Sequence, residues 1–318
     1  MILSIIMSTY NETIEEIKLA IESVLNQSYS EFEFIIVCDN PENYELINII
    51  QKYTESDNRI IFLKNKKNIG LALSLNRAAR HAEGKFLARM DADDISYLHR
   101  FEKQMNCILR YNYDLVCSLY DIIDENNKII FSKQNSIPDK FIGTILPLKN
   151  IIHHPTVIMR KEAFEKVGGY RNFPCSQDYD LWLRMCYNGT KIHIMDDVLL
   201  QYRIRDTSIS NRKKYQQLCT LSYIRKLYSQ RLIHGSDNFS VSSYNKYLES
   251  LGVNDVGKEK KFLTAEKFFK EGKKRIKEKL FFTGCINIIK AFAISKYYRQ
   301  NFMLILKRYK FKKIIKGE

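Results

Sequence analysis

Residues 86–101 read FLARMDADDISYLHRF. An apolar run ends in three acids, Asp91, Asp93 and Asp94, set within four positions. Like charges this close repel, and the arrangement is costly unless something positive lies between them. By composition the run is a strand, so the acids mark a strand end where something binds. The kind of sheet that holds this strand is decided by the segments around it.

Upstream, LALSLNRAARHAEG (71–84) has helical spacing and reads as a helix closed by Gly84. NKKNIG (65–70) is a turn, RIIFL (59–63) a short strand, and a helix covers about 42–55. FEFIIVCDN (32–40) is another strand. In TIEEIKLAIESVLNQ the apolar residues fall at 14, 17, 21, 24 and 25, and Thr13 with Glu16 resembles a capping box. Residues 2–8 are an Ile-rich first strand. Strand and helix alternate four times, which predicts a parallel sheet covered by helices on both faces. Ligands of such sheets bind beyond the carboxyl ends of the strands. Those ends carry Ser8–Glu12, Asp39–Asn40, the NKKNIG loop and Asp91–Asp94, enough polar groups for one shared site.

Downstream, a helix is expected over 97–112, with Asp94 as its cap. The alternation then loosens. DLVCSLYDIIDENNKIIFSKQ (114–134) reads as two strands joined by a polar turn. IIHHPTVIMRKEAFEKVGGY (151–170) is a strand, a short helix and a Gly-Gly stop. SQDYDLWLRMCYNG (176–189) is a helix ending at Asn188–Gly189, and 190–205 supply two more short strands. No Pro/Gly/Ser linker interrupts this half, so one domain is expected over 1–210, and a basic, mainly helical region over 211–318.

Charge separates the two. Residues 207–318 hold 26 Lys+Arg against 8 Asp+Glu, a net +18; the totals of 51 and 36 leave 25 and 28, a net −3, for 1–206. The basic third is expected to be drawn to a polyanion, an anionic membrane or a nucleic acid, unless it is only a solvated Lys-rich face. KLFFTGCINIIKAFAIS (279–295) groups Phe281, Phe282, Cys285, Ile288, Ile289 and Phe292 on one helix face. That is the pattern of an interfacial helix, or of one packed on its own domain. The 318 residues are 45% hydrophobic and 27% charged, which excludes a disordered chain. Seven cysteines without a C-x-x-C fit a reducing cytoplasm. The opening MILSIIMSTYNE lacks a basic stretch and a cleavage site, so no signal peptide is expected, and no 18-residue apolar run suggests a membrane span.

Asp91-x-Asp93 at a strand end suits a hard cation, Mg²⁺ or Mn²⁺, held by one or two carboxylates plus substrate phosphates. A calcium loop fits poorly, because the positions for its third ligand and its glycine are Ile95 and Ser96. A phosphatase with an Asp nucleophile would carry it on the first strand, whereas this acid pair ends the fourth.

Four segments together, SIIMSTYNE (4–12), IESVLNQSYSEFEFIIVCDN (21–40), NIGLALSLNRAARHAEGKFLARMDADDISYLHRFEKQ (68–104) and SQDYDLWLRM (176–185), resemble the family-2 glycosyltransferases. This is the large inverting group with the GT-A fold, an α/β mixed sheet with helices on both faces. The resemblance covers roughly residues 1–206, in order and spacing. It implies a nucleotide-sugar donor, usually a UDP-sugar, and a Mn²⁺ or Mg²⁺ cofactor. Thr9 and Glu12 then line the nucleotide pocket, Asp39 accepts from the base, and Asn68 lies by the nucleotide. Asp91 faces ribose or metal, Asp93 ligates the metal, and Asp178 is the general base. Asp180 is its rival, since the two point about 200° apart on a helix and only one can face the site; the resemblance favours Asp178. Gln177 stands where the family has Glu, which implies a lower pKa for the base. YRIRDTSIS (202–210) has Arg205 where the family has His, and Arg cannot coordinate a metal but can pair with phosphate. His153 and His154 are read as structural.

The expected activity is an inverting sugar transfer to a saccharide acceptor, carried on a polyprenyl diphosphate, in bacterial surface-polysaccharide synthesis. The basic region would hold the enzyme at the inner face of the plasma membrane. Two other readings stand beside it. A metal-dependent phosphohydrolase or nucleotidyltransferase lacks support, since no glycine-rich phosphate loop follows the first strand. A nucleic-acid-binding protein lacks any recognisable binding signature, and no nucleic-acid partner is expected.

Overall fold

The computed structural model describes residues 2–204, 214–253, 255–301, 303, 304, 306 and 307. The alternation read from the first third is present: β1 (Leu3–Thr9), α1 (Ile14–Leu25), β2 (Phe32–Cys38), α2 (Tyr44–Ser56), β3 (Ile60–Lys64), α3 (Leu71–His81) and β4 (Phe86–Asp91). Every residue of β1 and β2 is buried, as expected of central parallel strands covered on both faces. The capping box forms: Thr13 Oγ1 accepts from the Glu16 N–H at 3.2 Å, and Glu16 accepts from the Thr13 N–H at 2.8 Å.

Next come β5 (Ile95–Ser96), α4 (Arg100–Arg110), β6 (Leu115–Ile123), β7 (Ile129–Ser132) and α5 (Asp139–Ile145). A 3₁₀ turn (His154–Thr156), β8 (Ile158–Arg160), α6 (Lys161–Lys166), α7 (Gln177–Tyr187) and β9 (Ile192–Arg203) follow. The described strands form one nine-stranded sheet in the order β3-β2-β1-β4-β8-β6-β9-β5, with β7 beside β6. β1 to β4 are parallel; β8 runs against both β4 and β6, and β6 and β9 are parallel to each other. The result is the mixed α/β sheet that the resemblance implied.

Three local expectations fail. Residues 190–205 hold one long strand, because β9 bulges at residues 195–197 between its pairings with Cys117 and Leu119 and continues. Asp94 does not cap a helix: α4 begins only at Arg100, and β5 pairs with β9 in between. Gly84 does not close α3, which ends at His81. Its role is close approach, since a Cβ there would lie 2.6 Å from Ser4 Oγ and 2.8 Å from the Ser4 backbone nitrogen.

The chain divides into two compact units, Met1–Leu146 with Asn150–Asp206, and Pro147–Lys149 with Thr207–Glu318. The second unit contains α8 (Lys214–His234), α9 (Val241–Leu251), α10 (Val256–Lys277), α11 (Phe281–Ile294) and α12 (Lys296–Gln300). Its core gathers Tyr215, Cys219, Leu251, Phe262, Ala265, Ala291, Tyr297 and Tyr298. α10 and α11 meet through Gly272 and Gly284, where a Cβ on Gly272 would lie 2.8 Å from the Gly284 carbonyl oxygen. No helix among the described residues is long and apolar enough to cross a membrane. None of the seven cysteines is in a disulfide.

Candidate active site

The register of the parallel strands levels their carboxyl ends. Ser8 lies opposite Asp91, Thr9 opposite Cys38, and Cys38 opposite Lys64. Thr9, Glu12, Asp39, the loop bearing Asn68, and Asp91 therefore share one edge of the sheet.

At the end of β1, Glu12 closes its own loop. One of its oxygens accepts from the Thr9 hydroxyl and from the Tyr10 N–H, the latter at 2.7 Å. At the end of β2, Asp39 is buried and ties down the next loop. Its Oδ1 accepts from Asn65 Nδ2 (2.7 Å) and the Ile69 N–H (2.9 Å), and its Oδ2 from the Gly70 N–H (2.8 Å). A carboxylate has about four acceptor positions, so three of them serve the protein itself. Gly70 needs φ +88° to start α3 in this geometry. Asn68 is exposed, and its Oδ1 also accepts from the Gly70 N–H at 3.0 Å.

At the end of β4 the acids part ways. Asp91 is half-buried and ion-paired with Arg89, whose guanidinium is wholly buried. Arg203 Nε donates to the Asp93 carbonyl at 2.9 Å. Asp94 is fully buried, with Oδ1 accepting from the Arg203 N–H at 2.9 Å. Burial first, then the charges of Asp93 and Asp91, push the Asp94 carboxyl well above the usual range. Buried Arg100 holds the opposite side through the Arg89 carbonyl (2.7 Å) and the Pro155 carbonyl (2.6 Å). Arg89 thus pairs with the Asp91 carboxylate, while Arg203 and Arg100 fasten the backbone around the acids.

Asp178 sits on the first turn of α7, half-buried, its Oδ2 accepting from Asn150 Nδ2 at 2.8 Å. Burial raises its carboxyl above the ordinary value, the Asn150 bond lowers it, and the charge of Asp91 adds a further upward push. The net direction is upward, and burial is its largest cause. Asp180 is committed elsewhere: it is buried, 2.8 Å from Arg184 Nε and 3.5 Å from Arg171 Nη1. His154 shares a 2.7 Å hydrogen bond with the Tyr170 hydroxyl, and His153 stacks on Tyr120 at 3.9 Å. Burial pushes His153 down to about 4, so both rings are neutral supports. Arg205 lies outside the described residues.

A sequence model of the family described as "Glycosyl transferase family 2" matches residues 4–168, more than half of the chain. The chain is a family 2 glycosyltransferase. The transferase is 38% identical over 217 residues to an uncharacterised glycosyltransferase of Methanocaldococcus jannaschii, covering 67% of this chain and 75% of that one. It is 33% identical over 235 residues to the O-antigen biosynthesis glycosyltransferase WbnJ of Escherichia coli, covering 73% and 91%. A relative in Erwinia amylovora, the amylovoran biosynthesis glycosyltransferase AmsE, is 28% identical over 68% of this chain and 81% of its own. Among solved structures, S. aureus TarS 1–349 in complex with UDP-GlcNAc superposes with a TM-score of 0.59 at 16% identity, over 95% of this chain and 92% of that one. Against the longer TarS chain the match spans 42% of that chain. These likenesses establish the GT-A type of fold.

Among the described residues, no cluster of three or more His, Cys, Asp or Glu side chains is set to hold a metal. In the transferase Arg89 engages one oxygen of Asp91, and Asp94 is buried and bonded to Arg203. The donor set is then Asp93 with Asp91. That fits a hard cation bound together with a diphosphate, which completes the shell with its own oxygens. It does not fit a cation held by protein alone. The arginines and Asn150 were missed from the sequence. Arg89 and Arg203 did leave a signal, a charge inside an apolar strand, and Asn150 left none.

Proposed function

We propose that this transferase moves a sugar from a nucleotide-diphosphate donor, a UDP-sugar, to a hydroxyl of a saccharide acceptor, with inversion at the transferred carbon. The observation that carries the reading is the half-buried Asp178, bonded to Asn150 and within electrostatic reach of Asp91, beside an Asp180 that arginines have claimed. Asp178 takes the acceptor's proton as the new C–O bond forms and the bond to the diphosphate breaks. Asp93 and Asp91 hold Mn²⁺ or Mg²⁺ against the donor, and the bound cation supplies electrostatic stabilisation of the departing diphosphate. Thr9, Glu12 and Asn68 border the nucleotide, and Asp39 turns its remaining acceptor position to the base.

The O-antigen and amylovoran biosynthesis roles of WbnJ and AmsE support a place in surface-polysaccharide synthesis, and the UDP-GlcNAc complex of TarS supports a nucleotide-sugar donor. The acceptor is carried on a polyprenyl diphosphate, and the enzyme works as a peripheral protein at the inner face of the plasma membrane. Basic residues near an anionic leaflet contribute about 1 kcal/mol each to that attraction.

Asp178→Asn tests the assignment. Transfer from a radiolabelled nucleotide sugar should fall by about 10²–10⁴-fold, the span of general base catalysis. UDP affinity by calorimetry should stay within about twofold, because the change removes no nucleotide contact. Near-normal turnover would remove Asp178 as the base.

A further inference from the structure

The helix α11 packs Ile288, Phe292 and Ile294 towards its own unit and leaves a second set of apolar side chains exposed. What it buries is Gly284 and Ala291, with Gly284 set against Gly272 and Ile276 of α10. Phe281 is 61% exposed, Phe282 80% and Ile289 65%, with Leu280, Cys285 and Ile286 exposed beside them. At ~100° per residue, Phe281, Phe282, Cys285, Ile286 and Ile289 fall within about 140° of the helix circumference. A contiguous apolar patch of this kind on a folded surface marks an interaction site.

The charge around the patch says what the partner is. Between Phe281 and Ile294 there is no acidic residue. Lys277 and Lys279 are exposed just before the patch, and Lys290 lies at its edge with Nζ 5.5 Å over the Phe268 ring. The whole segment 207–318 carries 26 basic against 8 acidic residues. The partner must therefore be anionic at its surface and apolar beneath. A nucleic acid offers phosphates without an accessible apolar interior, whereas an anionic bilayer offers both within one helix diameter.

We infer that α11 is the membrane-entry element of this chain. It lies in the plane of an anionic leaflet, with Phe281, Phe282 and Ile289 among the acyl chains and Lys277, Lys279 and Lys290 at the headgroups. This deepens the membrane placement proposed above and rests on it; charge alone would give a salt-sensitive contact, and the apolar face adds a component that salt does not screen.

Co-sedimentation of the full chain with vesicles of phosphatidylglycerol and phosphatidylcholine tests it, against vesicles of phosphatidylcholine alone. The full chain should bind the anionic vesicles, and Phe281→Ser with Phe282→Ser should weaken that partition by about tenfold or more. Ile289→Asn alone should weaken it in the same direction, which guards against a folding failure of the double variant. Lys277→Glu with Lys279→Glu should weaken the preference for anionic vesicles. Partition unchanged by the Phe and Ile substitutions overturns the inference. So does a dimer by light scattering that the Phe substitutions convert to monomer, which assigns the face to a second copy. Donor hydrolysis in solution should be equal in the wild type and the Phe variant. Conversely, Asp178→Asn should keep vesicle binding, so failure of the catalytic reading and failure of the membrane reading are seen separately.

Discussion

Arg89 occupies a strand position between Ala88 and Met90, both fully buried, and its guanidinium faces one carboxylate, that of Asp91. Its Nε and Nη1 find no acceptor among the described residues. Breaking a fully buried pair costs about 3–5 kcal/mol, but the Asp91 side chain keeps 27% exposure and can hydrate. Arg89→Met should therefore cost about 2 kcal/mol, read as a lower urea midpoint at constant m. Adding Asp91→Asn should recover most of that loss, because replacing both partners of a buried pair is often near neutral. A second expectation concerns Asp178. A general base works only when ionised, so activity is lost as pH falls through its raised pKa, above the ordinary carboxylate value of about 3.9. The Asn150 bond favours the charged form. Asn150→Ala should thus move the acid limb of the kcat profile to higher pH, with the rate suffering more on the acid limb than on the plateau. An unmoved limb would mean that Asp178 is not the titrating base.

Among elements, α10 and α11 give a case where two magnitudes oppose. Gly in a helix interior is about 1 kcal/mol worse than Ala, so Gly272→Ala should stabilise on propensity alone. The added Cβ would meet the Gly284 carbonyl oxygen and Ile288 Cγ1, both at 2.8 Å, and overpacking costs about 1–3 kcal/mol. The backbone atom cannot step aside, so the expected outcome is a lower thermal midpoint. The first four strands were legible in the sequence because each is an apolar run bounded by a helix of period 3.6. The second half was less so, since β6 finds its partner in β9, with Leu115 opposite Ile192, and no local pattern reports such a pairing. Asp94 was misread for the same reason. Cap chemistry is local, whereas its partner is the backbone of a residue 109 positions away. The pairing of Asp180 with Arg184 was legible as an i,i+4 spacing on one helix, whereas Arg171 reaches Asp180 from outside α7, which periodicity does not contain.

At the scale of the whole molecule, the residues proposed for the chemistry all lie in the first unit, while the excess positive charge lies in 207–318. Within the first unit, Arg203 fixes when the site comes into being. Its backbone N–H, Nε and Nη1 meet Asp94, the Asp93 carbonyl and the Asp124 carbonyl, spanning 109, 110 and 79 positions of sequence. Closing loops that long costs entropy which only the finished strand repays. A chain emerging N-terminus first can pair β1, β2, β3 and β4 long before β9 is made. The acid loop then waits, unclamped, for the last strand of the sheet: the enzyme builds its scaffold early and its active centre at the end.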